Sequence, residues 1–452
     1  MPILDSSEPV RPGSVTDGNV GLPSPSQGPG PPGLGPAIVD PSPRENEPRR
    51  GGWLELLHNR RFLLLEASGS FAGAGYAVYS VSILFFAYTV THSLAVAGAV
   101  LFIEYAVYTA TFLVAPLVDR ARDKRTILLL CYPVQAAAAG GLALGIRTAT
   151  LSVPVLLALV LVLAVLWDFV WAVFMIAPRI VVEKRQLFVA DGVSSVVSVG
   201  TTIGGYAGGG ALLYFVGSEG GAVAYVVLLA LAAAAAIPLS LRIDSPPTTR
   251  FWETFRRGWD SFRGSLGRSL RRFSALESLY GFFSAIPPLL ITAIAFQRFS
   301  DPAAVYGPLV TAETLGGAVA GIGLGHLNPR RAVGILLVAA PVVGGLAVLA
   351  LVPRIPSVLI VGLILAAVGA AFSVRYTAKY TWVRASFPPE LLGRVTSNLY
   401  FFTGVAGSAA VLLVGWSTGY LSLARLELID GVGLIVAGVV AVSIPFVRRL
   451  SF

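Results

Sequence analysis

The stretch Ala115-Pro-Leu-Val-Asp-Arg-Ala-Arg-Asp-Lys-Arg125 is a short charged segment between two long apolar blocks. The blocks, residues 94–117 and 126–146, are each long enough to cross the ~30 Å hydrocarbon core of a bilayer as a helix. Because so short a loop must stay at the headgroups, its four basic residues mark the cytoplasmic side of the membrane. The stretch therefore predicts an integral membrane protein with a cytoplasmic loop between two of its spans.

The composition agrees with a membrane protein and excludes several other classes. Of 452 residues, 55% are hydrophobic and 13% are charged, whereas soluble proteins carry about 25% charged residues. The single cysteine excludes a disulfide framework, and the three scattered histidines make no metal-binding spacing. The net charge of +9 lies in loops, which indicates contact with anionic lipid and not with nucleic acid. We predict neither a metal nor a cofactor, and the lack of a nucleophile–base set argues against an enzyme.

Twelve apolar blocks follow residue 60, and the connections between them alternate between basic and nearly uncharged. Basic loops stay in the cytoplasm, so an even number of spans places both termini there, in a multi-pass protein of the cell membrane. The blocks are 62–90, 94–117, 126–146, 151–177, 188–215, 221–241, 275–298, 304–325, 331–352, 356–381, 392–420 and 429–447.

The blocks fall into two sets of six, separated by the longest connection. Residues 1–50 are rich in Pro, Gly and Ser and are predicted to be a disordered cytoplasmic tail. We predict six-helix bundles over residues 51–242 and 275–452. Residues 243–274 form a basic amphipathic linker, predicted to lie on anionic lipid, with a solvated linker as the alternative. The fold class is an all-α membrane protein of two pseudo-symmetric bundles, the plan of many secondary transporters.

Three loops carry a family resemblance. Asp119-Arg120 is followed by a basic cluster at residues 122–125, and two further loops at residues 177–192 and 388–394 have distinctive sequences. On these residues the chain resembles the major facilitator superfamily over residues 52–450, and within it the enterobactin-exporter and macrolide-efflux branch. The resemblance implies a transporter that works by alternating access and exports an amphipathic small molecule in exchange for protons. We expect a monomer whose partners are that molecule and H⁺.

The charged loop after the second span is a candidate conformational latch. Asp119 with Arg120 and Arg125 can bridge neighbouring helices through charge and helix dipole together. By resemblance, such a latch holds the cytoplasmic side shut. The alternative is that these charges only fix the topology.

Two opposite charges lie at similar depth in counterpart spans of the two halves. Asp168, about ten residues before Arg179, lies ~15 Å inside the membrane. Arg375 lies about nine residues before Arg384. A lone Asp at that depth costs ~2.5 kcal/mol or more, so it usually faces a cavity or a partner. We expect Asp168 and Arg375 to pair, directly or through substrate, with Lys379 able to substitute; the alternative is an ion pair that only joins the bundles.

Other polar residues in the spans are candidates for the substrate or proton pathway. Glu104 and Tyr108 share one face of the second span, and Glu313 is the counterpart of Glu104 in the eighth. These carboxylates either carry protons or sit at a water-exposed mouth. Tyr76 and Tyr79 in the first span either line a site for an amphipathic ligand or pack against other helices.

The sequence is also compatible with two other functions. Arg375 and Lys379 would suit an uptake symporter for a small polar or anionic solute. A receptor that kept the fold without transport is the third possibility. The charges placed at membrane depth favour a translocation path over an inert scaffold.

Overall fold

The computed structural model describes residues 52–183, 186–243, 264–327, 333–387 and 389–443. The predicted tail and most of the predicted linker, at 244–263, lie outside the described residues. The helices before residue 243 are α1 (Gly52–His58), α2 (Arg60–Thr91), α3 (Leu94–Thr109), α4 (Thr111–Arg120), α5 (Lys124–Arg147), α6 (Val153–Ile176), α7 (Pro178–Val181), α8 (Leu187–Val216) and α9 (Ser218–Ala236). The later helices are α10 (Gly264–Ser284), α11 (Pro287–Arg298), α12 (Pro302–Leu327), α13 (Val333–Leu349), α14 (Val358–Ser386), α15 (Pro389–Ser417) and α16 (Leu423–Val442).

The described helices are those of a multi-pass membrane protein. Eight helical segments are long and apolar enough to cross a bilayer, and two more, Leu94–Thr109 and Val333–Leu349, are apolar but shorter. Several helices start two or three residues before the predicted hydropathy blocks, and two start much earlier. α10 begins at Gly264, inside the predicted linker, and α16 begins at Leu423, ahead of the predicted block 429–447. The α10 extension, residues 264–274, is basic in sequence, whereas the α16 extension, residues 423–428, contains Glu427.

The charged stretch between α4 and α5 caps both helices, the end of α4 and the start of α5. The Asp123 side chain accepts a hydrogen bond from the backbone N–H of Arg125 and so caps the start of α5. Lys124 is fully buried, and its Nζ donates to the carbonyls of Val118, Asp119 and Ala121 at 2.5, 2.8 and 2.7 Å. An ammonium at the carboxyl end of α4 satisfies carbonyls that lack a helical partner and complements the helix dipole.

Two spans are interrupted within the membrane-spanning part of the chain. α3 gives way to α4 at Ala110, and α10 gives way to α11 just before Pro287. Pro287 has no N–H to donate to the preceding turn, which favours it at the first position of a helix. The first interruption places Thr111 at a helix start that faces α6.

Helices before residue 243 pack mainly on one another, and so do those after residue 264. In the first set α2 lies against α8 and α9, and α5 lies between α6 and α9. In the second, α14 lies against α12 and α13, while α10 lies against α15 and α16. Two long seams join the sets, α3 with α15 and α8 with α12.

Glycines allow the backbones to meet at both seams. A Cβ on Gly98 of α3 would overlap backbone atoms of Val411 and Gly415 in α15. Gly210 of α8 and Gly307 of α12 face each other in the same way, each occupying the space where the other's Cβ would lie. Small residues bring transmembrane helices into such contact, so the two sets touch backbone to backbone here.

Candidate substrate-binding site

A cavity of about 420 Å³ lies where the two sets of helices meet, and we call it the acidic pocket. Glu104 of α3, Asp168 of α6 and Glu313 of α12 line it, so the structure brings together three carboxylates from three helices. Its described lining contains no Lys, Arg or His. The lining residues are Tyr76, Ser80, Val81, Leu84, Leu101, Glu104, Tyr105, Tyr108, Ala164, Trp167, Asp168, Trp171, Tyr206, Pro288, Ile291, Tyr306, Val310, Glu313 and Thr314.

The carboxylates of the acidic pocket are only partly satisfied by the protein. Asp168 is 3% exposed; its Oδ1 accepts a hydrogen bond from Thr111 Oγ1 at 2.8 Å. Within the described part of the chain, Asp168 Oδ2 and Glu104 Oε1 are buried without a hydrogen-bond partner. A buried carboxylate oxygen without a partner is costly, so these atoms call for a bound proton, water or cationic group.

Aromatic rings form much of the pocket wall. Tyr76 stacks on Trp167 with ring centroids 4.4 Å apart and planes 8° from parallel. Tyr206 and Tyr306 contribute further rings from α8 and α12. Of the two tyrosines predicted in the first span, only Tyr76 reaches the pocket. Tyr79 is 1% exposed and packs in the core, so here it is a packing residue.

A second cavity of about 370 Å³, the ion-pair pocket, adjoins the first on the side of the later helices. Here Glu277 of α10 accepts a hydrogen bond from Arg375 Nη1 at 2.7 Å and lies 3.4 Å from Lys379 Nζ. The prediction of a direct Asp168–Arg375 pair is therefore wrong, and the pairing through substrate stays a prediction. Arg375 is held within its own set of helices by a nearer carboxylate, and Asp168 bonds to Thr111 instead.

Tyrosine rings surround the two cations of the ion-pair pocket. The Arg375 guanidinium lies 4.1 Å from the centroid of the Tyr280 ring. Lys379 Nζ lies 5.3, 5.1 and 5.7 Å from the ring centroids of Tyr376, Tyr380 and Tyr400. These cation–π contacts add to the contacts with Glu277, while Arg375 Nε and Nη2 are buried without a hydrogen-bond partner among the described residues.

A crevice of about 840 Å³ joins both pockets to one end of the molecule. Tyr108, 40% exposed, lines the crevice and both pockets, edge-on to Tyr400 at 5.6 Å. The crevice extends to Asp119, Arg179 and Arg384, at the helix ends beside the basic loops.

At the other end the glycine seams and a cluster of aromatic rings close the space between the helices. Phe296 of α11 lies with its ring centroid 4.7 Å from that of Phe85 and 4.4 Å from that of Tyr88. The site is therefore open toward the basic loops and closed on the opposite side.

The predicted latch residues lie at the mouth of the crevice. Asp119 lines it, Arg120 ends α4, and Arg125 is the second residue of α5. The residue that sequence reasoning missed here is Lys124, whose basic charge looked like a topology signal but is buried as a helix cap. The latch itself stays a prediction.

Comparisons with known proteins bear on the fold. No family model and no curated protein matches the sequence. The fold is similar to that of the nucleoside transporter NupG in a crystal structure of a point mutant, with TM-score 0.71 and 11% identity over 85% of this chain and 99% of that one. It is also similar to a POT family transporter in complex with 5-aminolevulinic acid, with TM-score 0.71 and 11% identity over 87% and 97% of the two chains. The POT family transporter PepTSo gives TM-score 0.69 and 12% identity over 87% and 99%.

At such identities the likeness establishes the fold, and it does so over nearly the full length of the solved transporters. It agrees with the Asp119-Arg120 loop motif and with the apolar helices. The chain is a multi-pass helical membrane protein whose fold is similar to that of the nucleoside transporter NupG and of POT family transporters.

Proposed function

We propose that the protein is a secondary active transporter that exports an amphipathic small molecule in exchange for protons, like the enterobactin-exporter and macrolide-efflux branch. It works by alternating access, as a monomer with twelve spans in two six-helix bundles and both termini in the cytoplasm. The observation that carries the proposal is a cavity between two sets of helices that is open toward the basic loops and closed at the other end.

At the closed end, the contacts between the two sets of helices are of a kind that can separate. Gly98 and Gly210 meet the opposite set through backbone atoms, without interlocking side chains. Backbone contacts of small residues rely on close van der Waals packing, so parting them breaks no ion pair. In the opposite state, Asp119, Arg120 and Arg125 would close the crevice as a latch, as the loop motif predicts.

The acidic pocket supports proton exchange. Glu104, Asp168 and Glu313 have no basic residue beside them in the described lining, so each can be neutralised by a proton when no cationic ligand is bound. The alternative function, uptake of an anion at Arg375 and Lys379, loses support because Glu277 already pairs with both cations.

Cysteine accessibility in vesicles tests alternating access. Cys131 is the one cysteine of the chain, so a Cys131→Ser background leaves Ser80→Cys as the sole thiol, in the acidic pocket. We expect an impermeant thiol reagent to label this position from the basic-loop side in one state and from the opposite side in another. Labelling from one side under all conditions would contradict the proposal.

A pair of glycine variants sharpens this test. Gly307→Val puts a side chain into the space of Gly210, so it should open the closed end and raise labelling from that side. Gly323→Val, in the same helix, is the matched control because its Cβ would meet nothing within 4 Å. Equal labelling in the two variants would remove the seam from the mechanism.

Flux measurements test the coupling. Purified protein in vesicles with an imposed pH gradient should move a panel of amphipathic compounds against their gradients, with protons moving the other way. Flux that survives collapse of the pH gradient unchanged would rule out proton exchange.

A further inference from the structure

We infer that the acidic pocket binds a lipophilic organic cation, an ammonium- or phosphonium-type ion that carries apolar or aromatic groups. The inference rests on the proposed function, because it names the class of molecule taken by the site proposed there. It is carried by the charge of the pocket, by its aromatic wall and by the state of the neighbouring cations.

The three carboxylates of the acidic pocket favour a cationic ligand. Glu104, Asp168 and Glu313 enter from three different helices, and the described lining supplies no basic side chain to balance them. The buried oxygens Glu104 Oε1 and Asp168 Oδ2 have no hydrogen-bond partner among the described residues. In a medium less polar than water, a cation between such groups gains far more than it would in bulk solvent.

The wall of the pocket favours an organic ion over a metal ion. Ca²⁺ and Mg²⁺ need about six oxygen ligands, and the described residues contain no group of three or more His, Cys, Asp or Glu that could hold a metal. Instead the carboxylates alternate with rings such as those of Tyr76, Trp167 and Trp171. Aromatic faces attract organic cations and their apolar substituents, and about 420 Å³ is a volume typical of drug-sized ligands.

The ion-pair pocket argues against a ligand with a matching anionic group. An acid on the ligand would need Arg375 or Lys379, but both already face Glu277, at 2.7 and 3.4 Å. Their tyrosine neighbours offer ring faces to these cations. Glu277 leaves one excess positive charge in the ion-pair pocket, and the three carboxylates of the acidic pocket outnumber it, so a ligand that fits the two pockets together carries net positive charge.

Binding of tetraphenylphosphonium tests the inference, with tetraphenylborate as an anion of nearly the same size and shape. Each is titrated separately against the full-length protein in nanodiscs, and empty nanodiscs are subtracted. We expect saturable binding of tetraphenylphosphonium and none of tetraphenylborate above the empty-disc level. Glu104→Gln, Asp168→Asn and Glu313→Gln should each weaken tetraphenylphosphonium binding about tenfold, which is ~1.4 kcal/mol.

Glu219→Gln is the matched control. Glu219 lies at the start of α9, 3.8 Å from the exposed Arg147, and outside the acidic pocket, so its neutralisation should leave tetraphenylphosphonium binding unchanged. Glu104→Asp keeps the charge and should bind within a few-fold of the parent. These two variants separate a lost charge from a misfolded protein.

The outcomes separate the inference from the proposed function. Equal or tighter binding of tetraphenylborate, or parental tetraphenylphosphonium binding in the variant that lacks all three carboxylates, would overturn the cation site. If tetraphenylphosphonium binding is saturable and depends on the carboxylates, but Ser80→Cys is labelled from one side only, the cation site is supported and the proposed transport is contradicted. If the protein transports uncharged compounds but does not bind tetraphenylphosphonium, the proposed transport is supported and the cation site is contradicted.

Discussion

The two pockets at the centre of the molecule treat buried charge in opposite ways. In the ion-pair pocket, Glu277 contacts both Arg375 and Lys379, so one carboxylate serves two cations. In the acidic pocket, Glu104 and Asp168 have buried oxygens that no described residue satisfies. Arg375 Nε and Nη2 are also buried without a hydrogen-bond partner among the described residues, so the two pockets differ in their charges: the first contains both signs, and the described lining of the second contains carboxylates alone. The difference fits the proposal that the ion-pair pocket stabilises the later helices while the acidic pocket binds the ligand.

The largest expected effect comes from removing the shared carboxylate. Glu277→Gln leaves Arg375 and Lys379 buried without their counter-ion, and breaking a buried pair in this way costs about 3–5 kcal/mol. We expect a loss of that size in the free energy of unfolding, measured by SDS titration in bicelles.

The same substitution in the acidic pocket is the matched control. Glu313 lines a cavity whose described lining contains no basic residue, so Glu313→Gln breaks no ion pair there. We expect the free energy of unfolding to fall by less than ~1 kcal/mol or to rise. If the two Glu→Gln variants lose equal stability, the contrast between the pockets is wrong.

The next effect is a rescue. In a protein that carries Glu277→Gln, adding Arg375→Met and Lys379→Met removes the two stranded cations and fills their space with apolar side chains. Because replacing a complete buried ion cluster is often neutral, we expect about 2–4 kcal/mol of the lost stability to return. The same titration measures it. If no stability returns, the tyrosine rings around Arg375 and Lys379 depend on the two cations for their packing.

The fold could be predicted from the sequence where charges lie outside the membrane. The charged stretch 115–125 lies between apolar blocks, and α2 and α5 end within two residues of the predicted blocks 62–90 and 126–146. The starts of α10 and α16 were predicted too late, because α10 begins with the basic residues 264–274 and the first turns of α16 contain Glu427. A hydropathy boundary treats every charge as solvent-exposed.

The sequence also could not predict the partners of charges buried inside the helices. Glu277 pairs with Arg375, and Glu427 of α16 accepts a hydrogen bond from Arg298 Nη2 at 2.6 Å. Partners about a hundred residues apart make a charge tolerable in a span, and no local pattern announces such a pair. For the same reason the carboxylates of the acidic pocket could be selected from the sequence by their depth, but the partner of Arg375 could not.

A smaller effect should separate the two cations of the ion-pair pocket. Arg375 makes the shorter contact with Glu277 and stacks on Tyr280, so Arg375→Met should cost about 1–2 kcal/mol more than Lys379→Met. The comparison uses the free energy of unfolding of the two single variants. The reverse order would show that Lys379 is the principal partner of Glu277.

The smallest effect concerns the hydrogen bond between Thr111 and Asp168. Thr111→Val keeps the shape of the side chain but removes the hydroxyl, which lies 2.8 Å from Asp168 Oδ1 and 2.6 Å from the carbonyl of Tyr108, and this should cost about 1 kcal/mol of stability. Thr314→Val is the control within the same pocket, because that hydroxyl donates only to the carbonyl of Val310 in its own helix.

The Thr111 and Thr314 variants also bear on ligand binding. If Asp168 binds the cation directly, Thr111→Val should leave tetraphenylphosphonium affinity unchanged or slightly tighter, since the carboxylate loses a competing donor. Weaker binding in Thr111→Val than in Thr314→Val would instead make Thr111 a positioning residue that aims Asp168. Either result measures how far the protein fixes a carboxylate that it otherwise leaves without a partner.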